Sequence, residues 1–151
     1  APREDLQRLV GLCSWAVFSQ PGLVAFHDGS PQDALAAALA AGAEVAVLTR
    51  DDQPLLWQRR GGPLQALSVF AVQPVLDTTA AGDTFHGALA VALGERQVQG
   101  QGQGQGQGAP QSDAAALRFA AAAAALKCLK PGGVAGAPSR AALEAFLASA
   151  S

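Results

Sequence analysis

The 151-residue chain carries a formal net charge of −2, which excludes the basic footprint of a nucleic-acid-binding domain. Half of its residues are apolar, enough to bury a core in one domain of this length. No apolar run reaches the ~20 residues that cross a bilayer, alanine being too weakly apolar to make one of residues 119–126, and the polar, mixed-charge start shows no signal peptide.

Residues 1–9 read as a helix end, with Leu6, Leu9 and Val10 loosely periodic. Leu12 to Phe18 is a short apolar run rich in strand formers, expected as a buried parallel strand. Ser19-Gln20-Pro21-Gly22 breaks it, and Leu23 to Phe26 has room for one helical turn. Ser30-Pro31-Gln32-Asp33 opens a helix well, with Ser30 as N-cap, Pro31 in the first turn and Asp33 completing a capping-box-like pair. That helix runs to about Ala41 and stops at Gly42. Ala43 to Thr49 is the next buried strand, so strand, helix and strand form a βαβ unit with a right-handed crossover. Leu55 to Arg59 and Leu64 to Phe70 flank Gly61-Gly62-Pro63 as a hairpin-like pair at the sheet edge. Val72 to Leu76 leads into residues 77–87, and a helix is expected from Gly82 to about Leu93, with Gly87 and Ala90 as a thin face for close packing. Residues 95–111 are expected as a disordered loop, because the Gln-Gly alternation of Gly100 to Gly108 has no side chains to build a core. The degenerate GxGxxA match within it follows a helix instead of a strand, so it fails as a dinucleotide signature. Ser112 or Asp113 caps a long alanine-rich helix to about Leu129, Gly132-Gly133 ends it, and Ser139 caps a last helix from Arg140 to Ala148.

Asp77-Thr78-Thr79-Ala80-Ala81-Gly82-Asp83-Thr84-Phe85-His86-Gly87 sets two carboxylates around a turn of small residues that runs into an apolar helix. Ala80, Ala81 and Gly82 leave their backbone N–H groups open to close approach, and the helix adds the positive end of its dipole, so the turn is an anion site. Asp83 sits at its mouth. A carboxylate there is poorly placed to bind phosphate and well placed to take a proton from an attacking hydroxyl. An ordinary helix-capping loop is the plainer reading of the same residues.

This motif resembles the C-terminal signature of the ribokinase-like (PfkB) carbohydrate kinases. The resemblance implies Asp83 as the catalytic base, and the backbone of Ala80, Ala81, Gly82 and Asp83 as the anion hole for the transferring phosphoryl group. It runs from the strand at Leu12 to the last helix but covers only the C-terminal half of the family fold. The implied fold is α/β, a three-layer α/β/α sandwich with a mainly parallel sheet, of which residues 1–151 are the C-terminal nucleotide-binding and catalytic part, without the substrate lid. A chain that begins on alanine agrees with a trimmed, processed or fragmentary origin.

Further positions take their meaning from that resemblance. Residues 116–132 resemble the family helix that lies against the nucleotide, implying Ala121, Ala124 and Ala125 as an adenine wall and Gly132 and Gly133 along the adenine or ribose edge. Without the motif upstream, close helix packing by a strong helix former is the better account of the alanines. Asp77 and Thr79 match positions that help hold a monovalent cation behind the anion hole; a simple turn cap at Asp77 explains it as well. Thr49 begins the place of a Thr-x-Gly-x-x-Gly turn that passes the nucleotide, but Asp51 and Pro54 stand at the glycine places, and Asp51 brings negative charge toward an anion. Arg50 reads as a solvated surface residue, although it could offset that charge. Ser19 and Gly22 stand where relatives carry Asn and Glu of a motif acting on the magnesium waters. His86 lies one turn after Asp83 and reads as structural, while Cys13 and Cys128 fit no metal or redox spacing and are expected as buried reduced thiols in a cytoplasmic protein.

The implied function is ATP-dependent phosphorylation of a sugar hydroxyl with Mg2+, with K+ at the cation position and a homodimer in the full-length protein. The partners are ATP and a small sugar, with neither nucleic acid nor membrane. A decayed, non-catalytic kinase module that binds nucleotide or a partner is the alternative, and a flavodoxin-like interaction domain the third reading.

Overall fold

The computed structural model describes residues 2–100 and 110–150. Two compact units divide the chain, Ala1–Ser68 and Val69–Ser151. The Gln-Gly stretch at 101–109 lies outside the described residues.

In the first unit the elements are α1 (Arg3–Gly11), β1 (Trp15–Ser19), α2 (Gln20–Phe26), α3 (Pro31–Ala41), β2 (Val45–Arg50), β3 (Gln53–Arg59) and β4 (Leu64–Leu67). The four strands form one sheet in the order β1-β2-β3-β4. β1 and β2 pair in parallel, Trp15 opposite Val45 through Ser19 opposite Thr49. The two antiparallel pairs beyond them correct the expectation of a mainly parallel sheet. The connections explain it: Asp51 and Asp52 alone join β2 to β3, and only residues 60–63 join β3 to β4, whereas a parallel crossover needs a dozen residues or more.

Ser19 does more than break β1. Its hydroxyl accepts the Gly22 N–H and caps α2, which is longer than the single turn expected, with Pro21 in its first turn. α3 starts as read: Ser30 Oγ accepts the Asp33 N–H at 3.2 Å and the Asp33 carboxylate accepts the Ser30 N–H at 3.2 Å. Gly42 ends α3 with φ +140°, and a Cβ there would lie 2.8 Å from the Gly11 carbonyl oxygen, so α1 and α3 meet at a contact only glycine permits. Val10, Leu23, Phe26, Leu35, Leu39 and Leu48 gather with small alanines into the core of this unit. β1 starts three residues later than the apolar run, and both Leu12 and Cys13 are exposed. Cys13 is therefore not the buried thiol expected: it sits in the turn after α1, its Sγ–H on the Leu9 carbonyl.

The second unit holds α4 (Ala81–Gly100), α5 (Asp113–Cys128), a short 3-10 turn (Val134–Gly136) and α6 (Arg140–Ser149). α4 buries Phe85, Leu89 and Ala92, one stripe at helical spacing. Gly87 and Ala90 are exposed, and nothing lies within 4 Å of a Cβ built on Gly87, so the thin face expected to pack does not pack among the described residues. α4 also continues past Leu93, so 95–100 is helix where a loop was expected. Glu95, Arg96, Gln97 and Gln99 are good helix formers. Two of them are anchored: Glu95 pairs with Arg140 at 2.7 Å and Arg96 with Asp113 at 3.0 Å. Ser112 is the N-cap of α5 and Ser139 that of α6. Arg118 lies over the Phe70 ring, which meets Phe146 edge-on at 5.1 Å.

Removing the α3 capping box tests this reading of local sequence. Ser30→Ala should lower stability by about 1 kcal/mol in urea unfolding. An unchanged midpoint would show that tertiary contacts, not the cap, fix the start of α3.

Candidate active site

All predicted residues except Thr49 fall in the second unit. Thr49 belongs to the first, near the end of β2, where its hydroxyl donates to the Phe18 carbonyl. Asp51 follows with φ +51°, a left-handed backbone that glycine adopts most easily and aspartate tolerates better than most residues. Arg50 is not a free surface cation: its guanidinium donates to the Pro54 carbonyl across this turn.

The turn before α4 runs into a helix as its sequence suggests, and the helix opens at Ala81. Ala80 has φ +59° and Ala81 opens α4, a left-handed residue followed by helical ones, which aims successive N–H groups to one side. Among the described residues the N–H groups of Ala80, Gly82 and Asp83 have no acceptor, while that of Ala81 donates to the Thr78 carbonyl at 3.1 Å. The Ala80 carbonyl faces away from the opening and accepts both the Thr84 N–H and the Thr84 hydroxyl, each at 2.9 Å. Asp83 is exposed in the first turn of α4, with no hydrogen bond or ion pair among the described residues. His86 is exposed, and its Nδ1–H donates to the Gly82 carbonyl at 2.8 Å.

The glycine loop after α5 closes on this turn. Gly132 has φ +86°, and its N–H donates to Asp77 Oδ2 at 2.8 Å. A Cβ built on Gly133 would touch the Ala80 methyl at 3.6 Å. Asp77, Ala80, Gly132 and Gly133 are thus one neighbourhood, although more than fifty residues separate the motifs. Ala121, Ala124 and Ala125 share a stripe of α5, with Ala121 buried and the other two half-buried.

Asp77 is more than a turn cap. Its Oδ1 accepts the Thr79 N–H at 2.8 Å, and hydrogen bonds from Thr79, from the Gly132 N–H and from Lys127 hold its carboxyl well below the usual carboxylate range. Sequence reasoning gave Lys127 no role. It is fully buried, its Nζ donates to the Asp77 carbonyl at 2.8 Å and to the Lys130 carbonyl at 3.5 Å, and it lies 3.4 Å from Asp77 Oδ2. A signal was present: Ala116, Ala120, Ala123 and Lys127 fall on one helical stripe, and the three alanines are buried. A lysine continuing a buried stripe must find oxygens there.

Those contacts bear on the two metals expected. A monovalent cation on the Asp77 oxygens would meet the Lys127 ammonium, and two unit charges about 4 Å apart repel by roughly 4 kcal/mol at an effective dielectric constant of ~20. The residues present do not fit such an ion beside Asp77. No group of three or more His, Cys, Asp or Glu side chains among the described residues makes a protein-borne metal centre.

A left-handed residue, a helix N-terminus, open N–H groups and a free carboxylate at their edge suit phosphoryl transfer. The sequence profile of the pfkB family carbohydrate kinases matches residues 1–140. The chain belongs to this carbohydrate-kinase family. Solved relatives share its fold. A ribokinase-like protein of Agrobacterium tumefaciens is 28% identical with a TM-score of 0.80, covering 99% of this chain and 45% of its own. A double mutant of Vibrio cholerae fructokinase, in its fructose-, ADP- and potassium-bound form, is 27% identical with a TM-score of 0.76, covering 96% and 44%. A ribokinase-like protein of E. coli in complex with ATP and Mg2+ is 23% identical with a TM-score of 0.76, covering 97% and 43%, a likeness of fold. The chain spans less than half the length of these relatives.

Two outcomes follow. Asp77 has a depressed pKa when folded, so the stability it adds is present above the unfolded value of ~3.9 and lost as pH falls below it. The melting temperature should therefore fall as pH drops below about 4, and Asp77→Asn should melt lower at pH 7 with a flatter acid limb; an identical acid limb in the variant would remove Asp77 from the account. Ala80→Gly should stabilise the chain by about 0.5 kcal/mol, because relief of a left-handed alanine slightly exceeds the entropy glycine loses on folding. A fall in the urea midpoint would argue against the left-handed turn.

Proposed function

We propose that this chain is the nucleotide-binding and catalytic part of an ATP-dependent sugar kinase. The observation that carries the reading is the Ala80–Asp83 turn, where among the described residues the N–H groups of Ala80, Gly82 and Asp83 have no acceptor and the Asp83 carboxylate has no partner. When bound, Mg-ATP supplies the γ-phosphoryl group. Asp83 accepts the proton of a sugar hydroxyl, so that the oxygen attacks in line. The open N–H groups and the helix dipole stabilise the negative charge that develops on the phosphoryl oxygens. Ala121, Ala124, Ala125 and the Gly132-Gly133 loop take the adenine side. The sugar resembles ribose, fructose or a keto sugar, in line with the fructose of the Vibrio relative. The same reading carries the three-layer C-terminal portion of the ribokinase-like fold, a cytoplasmic setting and a homodimer in a full-length protein; among the described residues, no helix is long and apolar enough to cross a membrane.

Asp51 favours a second reading, a module that binds nucleotide without turnover. It keeps the left-handed backbone of a glycine place but carries a negative charge that glycine lacks.

Mg-ATP at millimolar concentration should raise the melting temperature of the chain. No shift would count against both readings. In a protein that contains this chain and phosphorylates a sugar, Asp83→Asn should lower kcat by about 10³-fold with little change in nucleotide affinity. Near-intact turnover in that variant would exclude Asp83 as the base.

A further inference from the structure

We propose that the Lys127 ammonium is the resident cation of the anion turn, and that the site therefore operates without a bound monovalent metal ion. The proposal rests on reading Ala80–Asp83 as a phosphate site, and it assigns the charge behind that site to the chain itself.

The geometry has three parts. First, the ammonium has three N–H donors and meets three oxygens: the Asp77 carbonyl at 2.8 Å, Asp77 Oδ2 at 3.4 Å and the Lys130 carbonyl at 3.5 Å. Backbone carbonyls joined by a carboxylate are the hard oxygen donors that bind alkali and alkaline-earth cations. Second, the fold makes room for the side chain. Gly136 is buried in the 3-10 turn, and a Cβ there would press on Lys127 Cε at 3.3 Å. Third, Asp77 connects the charge to the turn. Its carboxylate also binds the N–H groups of Thr79 and Gly132, each at 2.8 Å, and Ala80 follows Thr79 directly.

A tethered ammonium differs from a bound ion in one respect that can be measured. It cannot dissociate, so neither the identity nor the concentration of the salt cation changes its occupancy. A metal ion in the same cage stabilises the chain by mass action, and the melting temperature rises with its concentration.

The test is thermal melting of the chain without nucleotide, at constant ionic strength, in KCl, NaCl and tetramethylammonium chloride. The wild type should melt within about 1 °C of the same temperature in all three salts, since ΔΔG near zero moves Tm little. Lys127→Met should melt lower in tetramethylammonium and regain several degrees in KCl or NaCl, as a metal ion enters the vacated cage. A saturable, potassium-specific rise in the wild type overturns the proposal, as does a Lys127→Met variant indifferent to the cation. Should that variant not fold, isothermal titration of KCl into the wild type decides: no saturable heat is expected, and saturable heat overturns the proposal. Because no nucleotide is present, absence of the Mg-ATP shift would indict the kinase reading alone.

Discussion

A lysine ammonium with no exposure to water governs the candidate site. Removing such a group from water costs several kcal/mol, and only well-placed oxygens offset it. Lys127 finds them on Asp77 and Lys130, at the two ends of the connection between the anion turn and the glycine loop. α5 carries the charge, α5 is anchored by Ser112 at its start, and α4 packs along it within the same unit. The position of the turn therefore depends on a pair whose loss would leave a buried charge or a half-buried carboxylate without its partner.

What the turn offers chemically is simple. Phosphoryl transfer needs positioning and charge more than covalent chemistry from the protein. A left-handed Ala80 turns the backbone at the start of a twenty-residue helix, and among the described residues the amides of Ala80, Gly82 and Asp83 have no acceptor and the Asp83 carboxylate no partner. Hydrogen bonds keep Asp77 anionic behind the turn, whereas Asp83 has no partner among the described residues. Two carboxylates six residues apart thus have opposite surroundings, Asp77 ringed by donors and Asp83 open among the described residues.

Much of this was legible in residue order. Ser30, Ser112 and Ser139 each announced a helix start, because a capping hydroxyl acts within three residues of its own position. The βαβ unit and the anion turn are likewise local. The misses were long-range. The sheet is less parallel than expected because Asp51 takes up left-handed backbone and lets β2 turn directly into β3. α4 outran its expected end because Glu95 and Arg96 are held by Arg140 and Asp113, residues distant in sequence. Cys13 lies outside the core because β1 begins only at Trp15. Lys127 was hidden among alanines, and its partner lies fifty residues earlier. Its helical phase was readable, but the identity of its partner was not.

The most direct test of this account is amide hydrogen exchange in Lys127→Met. Loss of the ammonium should speed exchange of the hydrogen-bonded amides of Leu76, Thr79, Ala81 and Gly132 at least tenfold, while the amides of β1, β2 and β3 keep their protection, as expected of a local opening. Unchanged protection at those four amides would contradict the claim that a buried lysine holds the turn before α4 in place.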